Sequence, residues 1–207
     1  MTRFLRCGRE AVLAEVDDLD AALALYAALR DAALPGVVDL VPAARTVLIR
    51  LDPAVTSPAA VREATAALRP GDAGRADSGT VRIPVVYDGP DLAEVAERLG
   101  ITADEVVARH TGARWTVAFS GFAPGFGYLT GDDPTLDVPR RTSPRTRIPA
   151  GSVGLAGRFS GVYPNDSPGG WQLIGSTTAR MWDLSRAEPA LLVPGVRVTF
   201  RAVPRCG

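Results

Sequence analysis

Between Gly121 and Gly175 the chain carries 11 Gly and 7 Pro in 55 residues, and no other stretch limits its fold so strongly. Such a composition usually marks disorder. Phe122, Phe126, Tyr128, Phe159, Tyr163 and Trp171 are interleaved with it, however. Low-complexity linkers lack anchors of that size, so the segment reads as tight turns between short strands of an all-β unit. The strands expected are 115–119, 152–156, 162–163, 172–176 and 196–202.

The chain ahead of that unit has a different texture. Residues 4–6, 11–15, 37–41, 46–51 and 80–87 read as strands. Asp17 or Asp18 caps a helix with Leu19, Leu23 and Tyr26 on one stripe and Leu25 and Leu29 beside it, halted at Leu34-Pro35-Gly36. Ser57 caps a second helix with Pro58 at its first position, which buries Val61, Ala64 and Leu68 and ends at Arg69-Pro70-Gly71. A loop at 72–79 follows. Two helices on one face of a small antiparallel sheet is the α+β arrangement this order favours, so a domain boundary is expected near residue 88. Two short helices, 91–99 and 102–109, open the second domain, with capping boxes expected at Asp91 with Glu94 and Thr102 with Glu105. A helix-turn-helix reading of that pair fails on charge. Asp91, Glu94, Glu97, Asp104 and Glu105 outweigh Arg98 and Arg109, and the phosphate backbone would repel such a unit, so no nucleic-acid partner is expected.

Composition excludes whole mechanisms. All 23 basic residues are Arg. Without Lys the chain can supply no P-loop lysine, no Schiff base and no attachment point for covalent biotin. His110 is the sole histidine, so a three-histidine zinc site is barred and no metal is expected. The longest apolar run, 21–29, is far short of the roughly 20 residues a bilayer requires. No apolar h-region follows the Arg-rich start, so a cytoplasmic location is expected, with Cys7 and Cys206 as free thiols. A net charge of zero gives no global field for a polyanion, and any anion site must be local.

One local site suggests itself. Arg140, Arg141, Arg145, Arg147 and Arg158 lie in a segment, 138–165, that holds no acid. Arg forks match carboxylate and phosphate groups, and Pro144 and Pro149 stiffen the chain that presents them, so a small anionic substrate is expected here. Gly151 and Ser152 follow directly, where backbone N–H groups can face an anion or the glycines can simply turn the chain. Pro124, Gly125 and Phe126 form a Pro-Gly turn with flanking aromatics, an apolar wall for a flat ligand or a core corner. His110 ends a helix, whose dipole favours the cation and would raise its pKa. Asp166 is the first acid after the basic stretch, placed to pair with an arginine or hold a nucleophile. Ala150 occupies the first glycine position of a GxSxG elbow around Ser152, which speaks against serine acyl transfer.

Longer strings carry a resemblance. Pro144-Arg145, the run Pro149-Ala150-Gly151-Ser152-Val153-Gly154-Leu155-Ala156-Gly157, Tyr163-Pro164 and Ser167-Pro168-Gly169-Gly170-Trp171-Gln172-Leu173-Ile174-Gly175 occur in that order. With Gly89-Pro90-Asp91-Leu92, Gly121-Phe122, Pro124-Gly125-Phe126, Tyr128-Leu129 and His110, they resemble the allophanate hydrolase subunit 1 family. This carboxyltransferase-domain family includes PxpB, the B-type subunit of 5-oxoprolinase, and the kinase inhibitor KipI. The resemblance implies a small N-terminal α/β-sandwich domain followed by a cyclophilin-like β-barrel. It implies a larger homologous partner subunit, a third subunit in the 5-oxoprolinase version, and ATP carried here or on the partner. The activity implied is ATP-dependent opening of 5-oxo-L-proline to L-glutamate, with the chain inactive alone. A biotin-dependent urea carboxylase system, with biotin on another chain, and a KipI-like inhibitor of a histidine kinase are the other readings. In the first, Arg145 and Arg147 neutralise developing charge, His110 carries a proton, and Gln172 joins Pro124, Gly125, Phe126, Gly151, Ser152 and Asp166 around the substrate. Gly127 departs from the family's Pro, and Phe159 and Ser176 from its Gln and Arg.

Overall fold

The computed structural model describes residues 2–68 and 79–205, and the chain forms two compact units, Met1–Arg75 and Ala76–Gly207. In the first, strands β1 (Arg3–Arg6), β2 (Ala11–Glu15), β3 (Val37–Pro42) and β4 (Thr46–Leu51) make an antiparallel sheet in the order β1-β2-β4-β3. Helices α1 (Leu19–Ala32) and α2 (Pro58–Ala67) pack on it. Asp18 caps α1 by accepting from Ala21 N–H at 2.8 Å, and Ser57 caps α2 by accepting from Ala60 N–H at 3.2 Å. The inward stripe of α1 is Ala22, Leu25 and Leu29 against Val12, Ala14, Val47 and Ile49. Leu23 and Tyr26, expected on that stripe, are only half-buried. In α2 the buried positions are Val61 and Thr65, whose hydroxyl donates to Val61 O at 2.6 Å; Ala64 and Leu68 are half-buried. Cys7 is an exposed free thiol. The expected stop at 69–71, most of the loop after it and Cys206 lie outside the described residues.

The second unit is a barrel. Its strands are β5 (Thr80–Val85), β6 (Trp115–Ser120), β7 (Gly127–Thr130), β9 (Ser152–Ala156), β10 (Phe159–Val162), β12 (Gln172–Ser176) and β13 (Arg197–Ala202), in the order β12-β9-β10-β7-β6-β13-β5. Val86, just past β5, and Ser176 exchange backbone hydrogen bonds of 2.9 and 2.8 Å, so the sheet nearly closes on itself. Closing a sheet in this way covers edge groups that would otherwise face water. Inward residues such as Ile83, Val85, Val117, Leu129, Val153, Leu155, Ile174, Val198 and Phe200 fill the interior. Helices α3 (Leu92–Leu99) and α4 (Ala103–Gly112) pack against β12 and β13 respectively, with the expected capping box at Thr102 and Glu105. Strand 80–85, placed in the first domain by the sequence reading, is a barrel strand: it pairs in parallel with β13 across more than a hundred residues of chain.

A two-stranded sheet of β8 (Arg145–Ile148) and β11 (Ser167–Gly169) forms in addition to the barrel sheet. A second apolar cluster of Phe126, Ile148, Ala156, Tyr163, Trp171 and Leu173 joins Ile148 of this pair to Ala156 and Leu173 of the barrel strands. These arginine- and proline-bearing strands, like β7, lack the apolar alternation that would announce them.

Candidate functional site

The sequence expectation of a capping box at Asp91 is overturned. The Asp91 side chain makes no cap hydrogen bond to α3. It is 2% exposed and serves a network instead. Arg145 grips it with both terminal nitrogens, Nη2 to Oδ1 at 2.7 Å and Nη1 to Oδ2 at 2.9 Å. Arg141 Nη1 donates to Oδ1 at 2.9 Å, and the backbone N–H of Leu173 donates to Oδ2 at 2.7 Å. Burial works to raise the Asp91 pKa, but the Arg145 fork, the Leu173 N–H and the charges of Arg145 and Arg141 outweigh it and hold the carboxyl below its usual range. The bond to Asp91 raises the Arg145 pKa in return. Gly89 makes this approach possible: a Cβ there would collide with the backbone of Leu173 and Ile174, against which the segment from Gly89 to Asp91 hydrogen-bonds.

Gln172 opens β12 next to this network and is 1% exposed. Its Nε2 donates to Pro139 O at 3.3 Å, while Arg141 N–H donates to Gly170 O at 2.8 Å. Among the described residues, Gln172 Oε1 and Arg141 Nε are buried with no hydrogen-bond partner. A buried polar group so left costs about 1–3 kcal/mol, which a fold tolerates mainly where water or a ligand completes it. Burial pushes the Tyr163 phenol up to about 12, against a bond from Trp171 N–H and the charges of Arg140 and Arg145.

The other expected residues divide. Arg147 leaves the Arg141–Arg145 group: its side chain is 78% exposed and binds Asp166 through Nε at 2.8 Å and Nη2 at 2.6 Å. Asp166 also accepts from Ala150 N–H at 2.9 Å, and that bond, then Arg147, lowers its pKa. The acid-free arginine segment therefore does not present five free cations: the distant Asp91 takes Arg141 and Arg145, and Asp166 at the segment's end pairs with Arg147, one of the two roles its position suggests. Gly151, at φ +81, is a turn glycine whose Cβ would strike Thr177 O. The Ser152 hydroxyl donates to Pro149 O at 2.8 Å. Phe126 is a core residue at 1% exposure, Gly125 is buried and Pro124 exposed. Beside them Phe122 is 57% exposed on a backbone at φ +67, a conformation bulky residues rarely hold, with its ring edge-on to Phe126 and Tyr163.

His110 is fully buried in the barrel unit, its ring 4.3 Å from that of Phe200 and 5.1 Å from that of Trp115. Hydrogen bonds join Nδ1 to the Tyr87 hydroxyl at 2.7 Å and Nε2 to the Ser160 hydroxyl at 2.8 Å, and Trp115 Nε1 donates to His110 O at 2.8 Å. Burial lowers its pKa to about 3, so the imidazole is neutral, against the cation that the helix dipole alone would favour. Sequence reasoning names Arg141 only as one of five clustered arginines and does not single out Asp91, Tyr87 or Ser160 as site residues. Only the isolated acid after Gly89-Pro90 offers a signal, and its local context reads as a cap.

Comparison with known proteins fits this architecture. Residues 2–192 match the family described as carboxyltransferase domain, subdomain C and D. The B-type subunit of 5-oxoprolinase from Escherichia coli O157:H7 is 42% identical over 177 residues, 81% of this chain and 78% of that one. The solved structure of TTHA0988 superposes with a TM-score of 0.77 at 36% identity over 95% of this chain, which spans only 40% of that longer protein. The Kluyveromyces lactis urea amidolyase shares the fold, with a TM-score of 0.79 at 20% identity over 98% of this chain and 15% of its own. The chain belongs to the carboxyltransferase domain family, subdomains C and D.

Proposed function

We propose that this chain is a subunit of a 5-oxoprolinase, opening 5-oxo-L-proline to L-glutamate with ATP in company with a larger partner subunit and a third component. The identity of 42% to the B-type 5-oxoprolinase subunit across four-fifths of the chain carries this reading. The resemblance strings around Asp91, Arg145 and Gln172 form one hydrogen-bonded network, which supports placing the reactant there. In this reading the Asp91–Arg145 pair holds β12 and the β8 strand in register, and the guanidinium of Arg141 lies where charge develops on an activated lactam oxygen. His110 keeps α4 on the barrel rather than exchanging protons with substrate. The test is reconstitution: the chain, co-expressed with candidate partner subunits, is supplied with 5-oxo-L-proline and ATP while glutamate and ADP are measured. Glutamate formed only with ATP and with every subunit present is the expected result; an assembled complex that forms none overturns the assignment.

A further inference from the structure

Among the described residues, the large apolar side chains that the second unit leaves exposed are Phe122, Trp182 and Leu184, and two touching loops carry all three. Phe122 sits on the turn 121–126 between β6 and β7, which Gly121 N–H closes by donating to Phe126 O at 3.2 Å. Trp182 and Leu184 sit on a hairpin joined by Leu191 N–H to Met181 O and Asp183 N–H to Pro189 O, both at 2.9 Å. The hairpin lies against the turn: a Cβ on Gly125 would stand 3.0 Å from both Met181 O and Trp182 Cβ, and one on Gly127 3.0 Å from Leu192 Cβ. Phe122 keeps a left-handed backbone that bulky residues avoid, yet its ring gains only edge contacts, with centroids 5.3 Å from Phe126 and 6.0 Å from Tyr163. Strain held this way is characteristic of functional surfaces. At 79% exposure Leu184 encloses nothing, so the face suits a macromolecule rather than a small ligand, which needs a concave site. Exposed Arg180 and Glu188 flank the apolar residues, and aromatic anchors inside a polar rim are the anatomy of a protein interface.

The relatives indicate what covers it. The larger part of TTHA0988 lies outside the 40% that this chain spans, so there the fold is joined to further polypeptide, whereas this chain spans 78% of the B-type 5-oxoprolinase subunit of Escherichia coli O157:H7. A fold that is a subunit in one protein and the lesser part of a longer chain in another keeps company with a second polypeptide. We propose that the turn 121–126 and the hairpin 181–191 form the face on which the larger partner subunit docks, with Phe122 and Trp182 as anchors in apolar pockets of that partner. The inference rests on the 5-oxoprolinase reading and deepens it by giving the partner a place on this chain.

The test co-expresses the full chain with the candidate larger subunit and measures the affinity of the purified pair by analytical ultracentrifugation. Phe122→Asn brings in a residue that tolerates the left-handed backbone, and Trp182→Ser and Leu184→Asp change side chains at the surface, so all three keep a cooperative thermal transition. Phe122→Asn and Trp182→Ser each weaken the complex about tenfold or more, and Leu184→Asp weakens it by setting a charge against an apolar pocket. Val55→Ser, which trims an equally exposed side chain of the first unit, leaves the affinity unchanged. The proposal is overturned if the first three variants bind as the wild type does, or if the wild type retains no larger subunit. It is also overturned if the chain alone is a dimer that Phe122→Asn makes monomeric, which gives the face to a second copy. Glutamate formed by a complex indifferent to these substitutions sinks the docking face alone; a complex that they dissociate, but that forms no glutamate from 5-oxo-L-proline and ATP, sinks the function alone.

Discussion

Asp91 shows how far a single residue can depart from its local sequence context. Read from its neighbours it is an N-cap with Glu94 three residues on; in the fold two arginines about fifty residues away and the Leu173 N–H claim both oxygens. A long-range ion pair outcompetes a local cap because its partners carry full charge. Asp91→Ala leaves Arg141 and Arg145 without their shared carboxylate, and loss of one member of a buried pair costs about 3–5 kcal/mol, measurable by urea denaturation. The folded pKa of Asp91 is depressed, so its stabilisation is complete above the unfolded value near 4 and fades as pH falls through the lower folded one. His110 acts in a different window. Its folded pKa of about 3 lies below the unfolded value near 6.5. The unfolded state therefore takes up a proton first, and stability is full above pH about 6.5 and falls by up to about 1.4 kcal/mol per unit toward pH 3. His110→Gln removes that slope between pH 6.5 and 4.5, while the wild type shows it in denaturation midpoints. That His110 is a special residue is legible in its being alone; that it is neutral is not, since burial is a property of the fold.

At the scale of elements, legibility follows locality. Both N-terminal helices, their caps at Asp18 and Ser57, and the bounds of β9 and β12 can be read because caps, turns and short apolar runs are encoded by adjacent residues. The β8–β11 pair cannot. Its strands carry Arg145, Arg147 and Pro168, and they are held by Asp91, Asp166 and the apolar cluster under Ile148 rather than by alternation of their own. The site depends on that pair, which is why the sequence points to the basic segment and misassigns its charges. Two substitutions separate local from distant encoding. Thr102→Ala removes a reciprocal cap on α4 and costs about 1 kcal/mol, with the Asp91 network unchanged. Gly89→Ala forces a Cβ into the β12 backbone, where overpacking costs about 1–3 kcal/mol, and it displaces Asp91 from the Leu173 N–H, so its loss of stability exceeds that of Thr102→Ala. Equal losses in the two variants by urea denaturation would refute the distinction.

For the whole molecule, each unit has its own core: one centred on Val12, Val47, Ile49, Leu25 and Leu29, the other on the barrel interior. The sequence suggests a boundary at 88 because the strand 80–85 follows helices and resembles its predecessors; nothing local reveals that its partner is β13 near the other end of the chain. The difference can be tested by truncation. A fragment starting at residue 76 retains β5, the Val86–Ser176 closure and the Asp91 network, and it folds to a monomer with a cooperative thermal transition and a dispersed NMR spectrum. A fragment starting at residue 89 loses β5 and Val86 together. The β13 and β12 edges are then unpaired and the interior around Val198, Phe200 and Ile174 opens to water, a combination that favours aggregation over folding. A soluble, cooperatively folding 89–207 fragment would show that the barrel does not depend on closure through β5, and with it that the parallel β5–β13 pairing is peripheral to the fold.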